Sequence, residues 1–471
     1  MAEPHDPYAA LRVADFRRLL ACGLLASIAS EIQAVAVGWE LYLRTNDAKA
    51  LGLVGLVQFL PVLLLSLPAG HAADRYSRKW LVAGALALTT SASLGLAAIS
   101  YVQAPVWLIY VCIGLVGVGQ AFSGPARWSL VPSIVPEELL TSAVTWTSSS
   151  WQIAAVVGPA VGGLGLAAAS KYIGPAVTRL GWSFVGEGAD GAVDHAIYFV
   201  YTLGAVFSAI SITLLLPIRP RPNQHPREEV TLRSLLAGLR FVFQTELILA
   251  TITLDLFAVL LGGATALLPV FAKDILHVGP TWFGWLRAAP SIGALLMALV
   301  LAHRPPLRRA GPALLWSVAG FGAAMVVFGL SRNPYLSFAM LAITGALDNI
   351  SIVVRGTLVQ VLTPDSMRGR VAAVNVIFIG SSNELGAFES GLTAGWFGPV
   401  LSVVGGGIGS ILVVLIVMAH WPKLLRLGSL ASLAADQAVV PPLAGSAEAF
   451  EAAEASMAIQ PAKPTEVRPP P

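Results

Sequence analysis

The stretch GHAADRYSRKW, Gly70 to Trp80, places Asp74, Arg75, Arg78 and Lys79 within a few residues of one another. It is flanked by LGLVGLVQFLPVLLLSLPA (51–69) and LVAGALALTTSASLGLAAIS (81–100), which carry no charge. Each flank is about 20 apolar residues, the length a helix needs to cross the hydrocarbon of a bilayer. The charged stretch therefore reads as a link between two membrane-crossing helices. The whole chain fits that reading. It has 471 residues, of which 56% are hydrophobic and 12% charged, with a mean hydropathy of +0.74. Soluble domains carry about 25% charged residues.

Apolar runs of this kind recur at 19–43, 51–72, 80–101, 105–126, 140–168, 196–217, 246–272, 281–302, 311–331, 334–354, 371–396 and 398–421. The fold class they predict is an all-α polytopic membrane protein with twelve transmembrane helices. A transmembrane barrel would instead show short alternating segments. Arg12, Arg17 and Arg18 followed by ASIAS (26–30) imitate a signal peptide. The apolar run continues through EIQAVAVGWELYL (31–43), so it is read as a retained first span.

An even number of spans puts both termini on one side, and the cations say which. With the N-terminus inside, the inner segments hold Arg12, Arg17, Arg18, Arg75, Arg78, Lys79, Arg127, the arginines of 218–245, Arg304, Arg308, Arg309, Arg355, Arg368, Arg370 and the basic residues of the tail. The outer segments hold only Arg44, Lys49, Lys171, Arg179, Lys273 and Arg332. Lys and Arg favour the cytoplasmic side, so a multi-pass protein of a bacterial inner membrane is expected, with both termini cytoplasmic. The link at 70–80 is then a cytoplasmic loop.

The two halves repeat. Gly55 and Pro61 match Gly284 and Pro290, and Arg75 matches Arg304, at an offset of 229. RWSLVPSIVPEEL (127–139) matches RGTLVQVLTPDSM (355–367) at 228, pairing Arg127 with Arg355 and Pro136 with Pro364. Parallel repeats about an axis along the membrane normal are expected from such a pattern. The organisation is a six-helix bundle over 1–217, a basic linker over 218–245 that ends in an amphipathic stretch, a second bundle over 246–422 and a tail over 423–471. The tail, rich in Ala and Pro from about 429, is read as disordered. Residues 169–195 form a Gly-rich outer loop.

With those residues assembled, GHAADRYSRK resembles the loop signature of the major facilitator superfamily. GPAVGG (158–163) resembles the Gly-Pro box of its antiporters, although Ala154 stands where that box usually has a further glycine. ARWSLVPSIVPEELLTSAV (126–144) followed by the box is similar to the branch containing macrolide efflux proteins and the enterobactin exporter. The resemblance covers 19–421. It implies alternating access between two bundles and export of small amphipathic molecules in exchange for protons. It also implies a latch: Gly70, Asp74, Arg75, Arg78 and Lys79 would meet the other half near Arg368 and Arg370, with Asp74 capping the eleventh helix when the cytoplasmic side is closed. Gly158, Pro159, Gly162 and Gly163 would bend and closely pack the fifth helix. By symmetry Arg304, Arg308 or Arg309 would meet Glu137 and Glu138. Other readings are a dedicated siderophore or metabolite exporter, an importer, and a transport-inactive sensor or scaffold.

Ionisable groups inside spans usually line a cavity or a proton path. Shielding a carboxylate from water favours its neutral form, which suits it to exchange protons near neutral pH. The proton-coupling candidates are Glu31, Asp255, Asp348 and Glu384, with Glu389 a further intramembrane acid. At an offset of 228 Glu31 maps onto Val259, one turn from Asp255, so the two acids are expected to share a face and a depth. Asp348 maps onto Gln120 at the same offset, and Arg287 onto Gln58 at 229. Glu40 is expected to be solvated at the outer end, and Arg127 and Arg355 to be structural partners of nearby acids. Trp39, Gln120, Trp146, Trp151, Gln152 and Arg287 are cavity candidates, together with the hydroxyls of TSSS (147–150).

Gly114, Gly117 and Gly119 lie deep in an apolar run with no strand before them, so they read as helix packing rather than a nucleotide loop. The partners implied are a small-molecule substrate, protons and the bilayer. No ATP, nucleic acid, metal or cofactor is implied, no nucleophile–base pair suggests an enzyme, and the chain is expected to be monomeric. Cys22 and Cys112 read as core residues.

Overall fold

The computed structural model describes residues 8–173, 191–221, 232–305, 308–364 and 367–429. Its helices are α1 (Ala14–Thr45), α2 (Ala48–Arg75), α3 (Arg78–Tyr101), α4 (Trp107–Ile134), α5 (Leu140–Ala168) and α6 (Gly191–Leu215). A linker helix (Leu232–Gln244) follows, and then α7 (Glu246–Leu261), prolonged by short turns to Ile275. The last five are α8 (Pro280–Ala302), α9 (Ala310–Leu330), α10 (Pro334–Leu362), α11 (Arg368–Phe397) and α12 (Pro399–His420). Twelve helices among the described residues are long and apolar enough to cross a membrane.

Local chemistry sets the helix ends. The Asp47 carboxylate accepts from the Lys49 N–H at 2.9 Å and opens α2. The Asn333 side chain accepts from the amides of Tyr335 and Leu336 and opens α10, filling orphan donors of the first turn. Asn46 ends α1 in the left-handed conformation, φ 49°, which asparagine tolerates better than most residues.

The link at 70–80 is shorter than the sequence suggests. Gly70 to Arg75 form the last turns of α2, α3 starts at Arg78, and only Tyr76 and Ser77 connect them. Arg75 stands in the last turn of α2, where a cation suits the negative end of the helix dipole. Helices α4 and α10 run about two turns past the ends expected at 126 and 354. Their extensions bury Leu130, Val131 and Ile134, and Leu358 and Val359, so tertiary packing prolongs them. Arg127 and Arg355 consequently lie within helices rather than at their ends.

The repeat reappears in the packing. Gly117 lets α4 lie on α2, since a Cβ there would meet the Gln58 carbonyl at 2.4 Å; Gly345 does the same for α10 against the Pro290 carbonyl of α8. Between the halves there are two matched seams. A Cβ at Gly163 of α5 would stand 2.7 Å from the Gly284 Cα of α8, and one at Gly391 of α11 2.5 Å from the Gly52 Cα of α2. Position 163 plus 228 is 391.

One core cluster joins both halves at the seam end, with Trp39, Phe271, Phe283 and Phe328 among its members. At the end that carries the termini, each half has its own core: one around Phe16, Leu130 and Leu215, the other around Leu254, Leu314 and Leu358. The halves thus meet away from the termini and part toward them. Cys22 and Cys112 are free and buried, as expected of core residues.

The linker helix buries Val242, and its Gly238 lies on the Arg370 backbone, where a Cβ would stand 2.8 Å from the carbonyl oxygen. The start of the tail is folded too. The amides of Ala310 and Gly311 donate to the carbonyls of Gly428 and Leu427 at 3.0 and 3.4 Å. Lys423 pairs with Glu246 at 2.5 Å, and Leu424 is buried. The rest of the tail, most of the 169–195 loop and residues 222–231 lie outside the described residues.

Candidate transport cavity

Between the halves lies a cavity of about 440 Å³. The N-terminal half contributes Ser30, Glu31 and Gln33 from α1, Gln58 from α2 and Gln120 from α4; the other half contributes Thr265, Arg287 of α8, and Asn383 and Glu384 of α11. Arg287 Nε stands 3.6 Å from a Glu31 carboxylate oxygen, an ion pair that bridges the halves. A Cβ at Gly55 would meet a Glu384 carboxylate oxygen at 3.1 Å, so the bare glycine makes the room that Glu384 occupies. The Gln58 amide donates to the Gln120 carbonyl at 3.1 Å. The Ser93 hydroxyl donates to the Gln33 carbonyl at 2.6 Å.

The Gly-Pro box supports this cavity from behind. A Cβ at Gly158 would stand 2.4 Å from the Glu31 Cβ, and one at Gly162 3.0 Å from the Val35 Cβ. The missing side chains let α5 lie on α1 at the level of Glu31. One residue further, Gly163 lies on Gly284, and the Pro159 carbonyl is part of the same contact. The box therefore joins the cavity wall to an inter-half seam.

The seam end is sealed further by side chains. Trp39 stacks on Phe283 with ring centroids 5.4 Å apart. The Tyr42 hydroxyl donates to the Asp274 carboxylate, and Lys273 lies 5.3 Å above the Tyr42 ring. Glu40, expected to be solvated, is 1% exposed. It pairs with Arg44 at 3.1 Å, and Arg44 also donates to the Ala104 carbonyl. A partner one helical turn away makes that burial tolerable.

Several expectations need correction. Asp255 does not share a cavity with Glu31. It is 6% exposed and bound to Arg355, on the terminus side of the second half, because α10 runs on far enough to bring Arg355 opposite it. Asp348 lies outside the residues that line the cavity. Trp39 packs into the seal rather than the cavity, and Trp146 lies against Tyr8 at 5.9 Å. Trp151 does line the cavity, as Gln120 and Arg287 do. Gln152 lines a second cavity around Arg127, and Arg127 has no acid partner among the described residues. Ser390 donates to Glu389 at 3.4 Å.

Around the link, nothing lies within 4 Å of a Cβ placed at Gly70. Arg78 donates to the Ser129 carbonyl at 3.1 Å and Lys79 to the Leu216 carbonyl at 2.5 Å, both within the N-terminal half. The Asp74 side chain lies outside the described residues. Arg304, Arg308, Arg309, Glu137 and Glu138 are all exposed, so the expected contact between them is not made with the halves parted at this end.

Sequence reasoning passed over Ser30, Gln33, Asn383 and Ser27. Asn383 had a visible signal: it precedes Glu384 in the middle of an apolar span.

A family model described as transmembrane secretion effector matches residues 5–448. The enterobactin exporter EntS of Citrobacter koseri is 27% identical over 431 residues, covering 90% of this chain and 94% of that protein. The enterobactin exporter EntS of Escherichia coli is 26% identical with the same coverage. Among solved structures, a bacterial homologue of the human lysosomal transporter Spinster, inward-facing and unoccupied, aligns with a TM-score of 0.66 and 16% identity over 88% of this chain and 97% of that one. Its occupied inward-facing form aligns with a TM-score of 0.68 and 14% identity, over 90% and 98%. At such identities the likeness is one of fold.

Proposed function

The chain belongs to the transmembrane secretion effector family of the major facilitator superfamily, and from that premise we propose that it exports small amphipathic molecules from the cytoplasm in exchange for protons. It is a membrane transporter and not an enzyme. The observation that carries the reading is the grouping of Glu31, Arg287 and Glu384 in one cavity between the halves. One cation faces two acids, so the cavity holds a carboxylate whose charge is not fully compensated and which can be removed by a proton. Glu31 and Arg287 come from opposite halves, so protonation of Glu31 weakens a bond that ties the halves together. A proton taken up from outside would then be released inward as substrate enters from the cytoplasm, and alternating access couples the two.

The parted cores at the terminus end support an inward-open state, with the glycine seams and the Tyr42–Asp274 contact as the outer closure. In the opposite state the link at the end of α2 would close on the start of α11, with Asp74 meeting Arg368 or Arg370. The cation distribution supports cytoplasmic termini and an inner-membrane location. A second reading, a dedicated exporter of one metabolite, is favoured by the near full-length likeness to the enterobactin exporters.

Inside-out vesicles with an acid interior and a fluorescent pH reporter test the proposal. Addition of macrolides, lipophilic cations, dyes or catecholate siderophores should discharge the gradient for one class. Glu31→Gln and Glu384→Gln should abolish the response. A response unchanged in both variants removes these acids from the coupling, and no discharge by any class from correctly inserted protein removes proton-coupled export of these compounds. Discharge by catecholates alone supports the dedicated exporter.

A further inference from the structure

Arg127 of α4 and Arg355 of α10 hold equivalent places in the two repeats, yet among the described residues only Arg355 has a counter-ion. Arg355 is bound to Asp255 of α7. At the same offset of 228, position 255 corresponds to Ser27 of α1, and Ser27 lines the cavity that contains Arg127. The guanidinium reaches over Gly23, one turn before Ser27, where a Cβ would stand 4.0 Å from Nη1. The first repeat has kept the arginine and has a serine where the second has the acid. No acid lines this cavity, and among the described residues no carboxylate pairs with Arg127.

An uncompensated arginine inside a membrane span is costly. The surroundings suit a ligand that would supply the missing charge. The cavity is about 240 Å³ and is walled by Trp128 and Trp151. Thr147 and Ser150 spend their hydroxyls on carbonyls of their own helix. Ser148 and Gln152 line the space without a hydrogen bond to the described residues. Trp151 also lines the central cavity, so the two spaces share a wall.

The geometry points to a binding site for an aromatic carboxylate, or for the aryl-carboxylate portion of a larger substrate, held on the terminus side of the central cavity. The guanidinium fork matches a carboxylate bidentately. The two indoles supply the flat apolar surface that an aromatic ring seeks, and Ser148 and Gln152 take its remaining polar groups. The volume falls below the ~300–1000 Å³ typical of sites that enclose a drug-sized ligand, so a substrate of that size would place only one portion here. This inference rests on the transport reading for its role, but its test does not require transport.

Calorimetric titration of the purified protein in lipid nanodiscs would compare 2-naphthoate with its neutral counterpart, 2-naphthylmethanol. Naphthoate should bind at least about tenfold more tightly, the discrimination expected of a charged hydrogen-bonded pair. Arg127→Gln should erase that preference and Arg127→Lys should keep part of it. Ser27→Asp rebuilds the arrangement of the second half and should also erase the preference, with alcohol binding unchanged and thermal unfolding at or above that of the wild type; it decides the matter if Arg127→Gln fails to fold. Equal binding of the two probes to the wild type, or an undiminished preference in Ser27→Asp, would overturn the site. Preference retained without proton-coupled efflux leaves the site standing and removes the antiport reading. Efflux without preference does the reverse.

Discussion

Gly158 of α5 lies directly against Glu31 of α1: a Cβ on the glycine would stand 2.4 Å from that of the glutamate. A proton-coupling candidate and the Gly-Pro box, 127 residues apart in the chain, are thus one contact. Gly158→Ala should push Glu31 toward Arg287 and overpack the wall, lowering stability by about 1–3 kcal/mol. Gly162→Ala, where the contact is 3.0 Å, should have a smaller effect. Thermal unfolding in detergent together with vesicle transport reads both, and equal effects of the two substitutions would remove the special place of Gly158.

Asp255 and Arg355 give a test of structural against coupling roles. Asp255→Asn leaves a buried arginine without its charge partner and should destabilise the protein by about 3–5 kcal/mol. The double substitution Asp255→Leu with Arg355→Met should restore stability and, since neither residue lines the central cavity, transport as well. Loss of transport in a stable double variant would return Asp255 to the coupling machinery.

In the proposed orientation the seam of Gly163 and Gly284 closes the outer end, so Gly163→Leu should wedge it open and shift the population toward the outward-facing state. With Cys22 and Cys112 replaced by alanine, Ala34→Cys in the cavity wall reports that state. A membrane-impermeant thiol reagent added outside should label it about tenfold faster in the Gly163→Leu background, a shift of about 1.4 kcal/mol. Equal labelling rates would show that the seam does not control access.

Asp74→Asn should leave insertion and cavity binding intact while sharply reducing transport turnover, if the inward-closed state is held by the proposed cap on α11. Comparing equilibrium binding with efflux rate separates the two effects. Wild-type turnover would dismiss the latch.

Hydropathy was enough to place the twelve spans, and matched residues such as Arg127 and Arg355 were enough to reveal the repeat. The polar residues Glu31, Arg287 and Glu384 were visible as exceptions within apolar runs. Their partners were not. Glu31 meets Arg287, and Asp255 meets Arg355, over separations of 100 residues or more, and periodicity along one helix says nothing about which helix it faces. Glu40 was misread because depth was judged from distance to the helix end, whereas Arg44 one turn on allows it to be buried. The link after Gly70 looked like a loop because charge usually marks one; here the charges decorate a helix end.

The glycine seams have one more consequence. Where α5 meets α8 at Gly163 and Gly284, and α11 meets α2 at Gly391 and Gly52, backbone touches backbone, and one turn beyond the second contact the Lys49 side chain lies across Gly395. Interlocked knobs must be lifted out before two surfaces can slide, whereas smooth ones need not be. At those two points the halves meet on bearings, so resistance to rotation would come from the side chains that cross beside them, Lys49 over Gly395 and Trp39 on Phe283, rather than from the fulcrum itself.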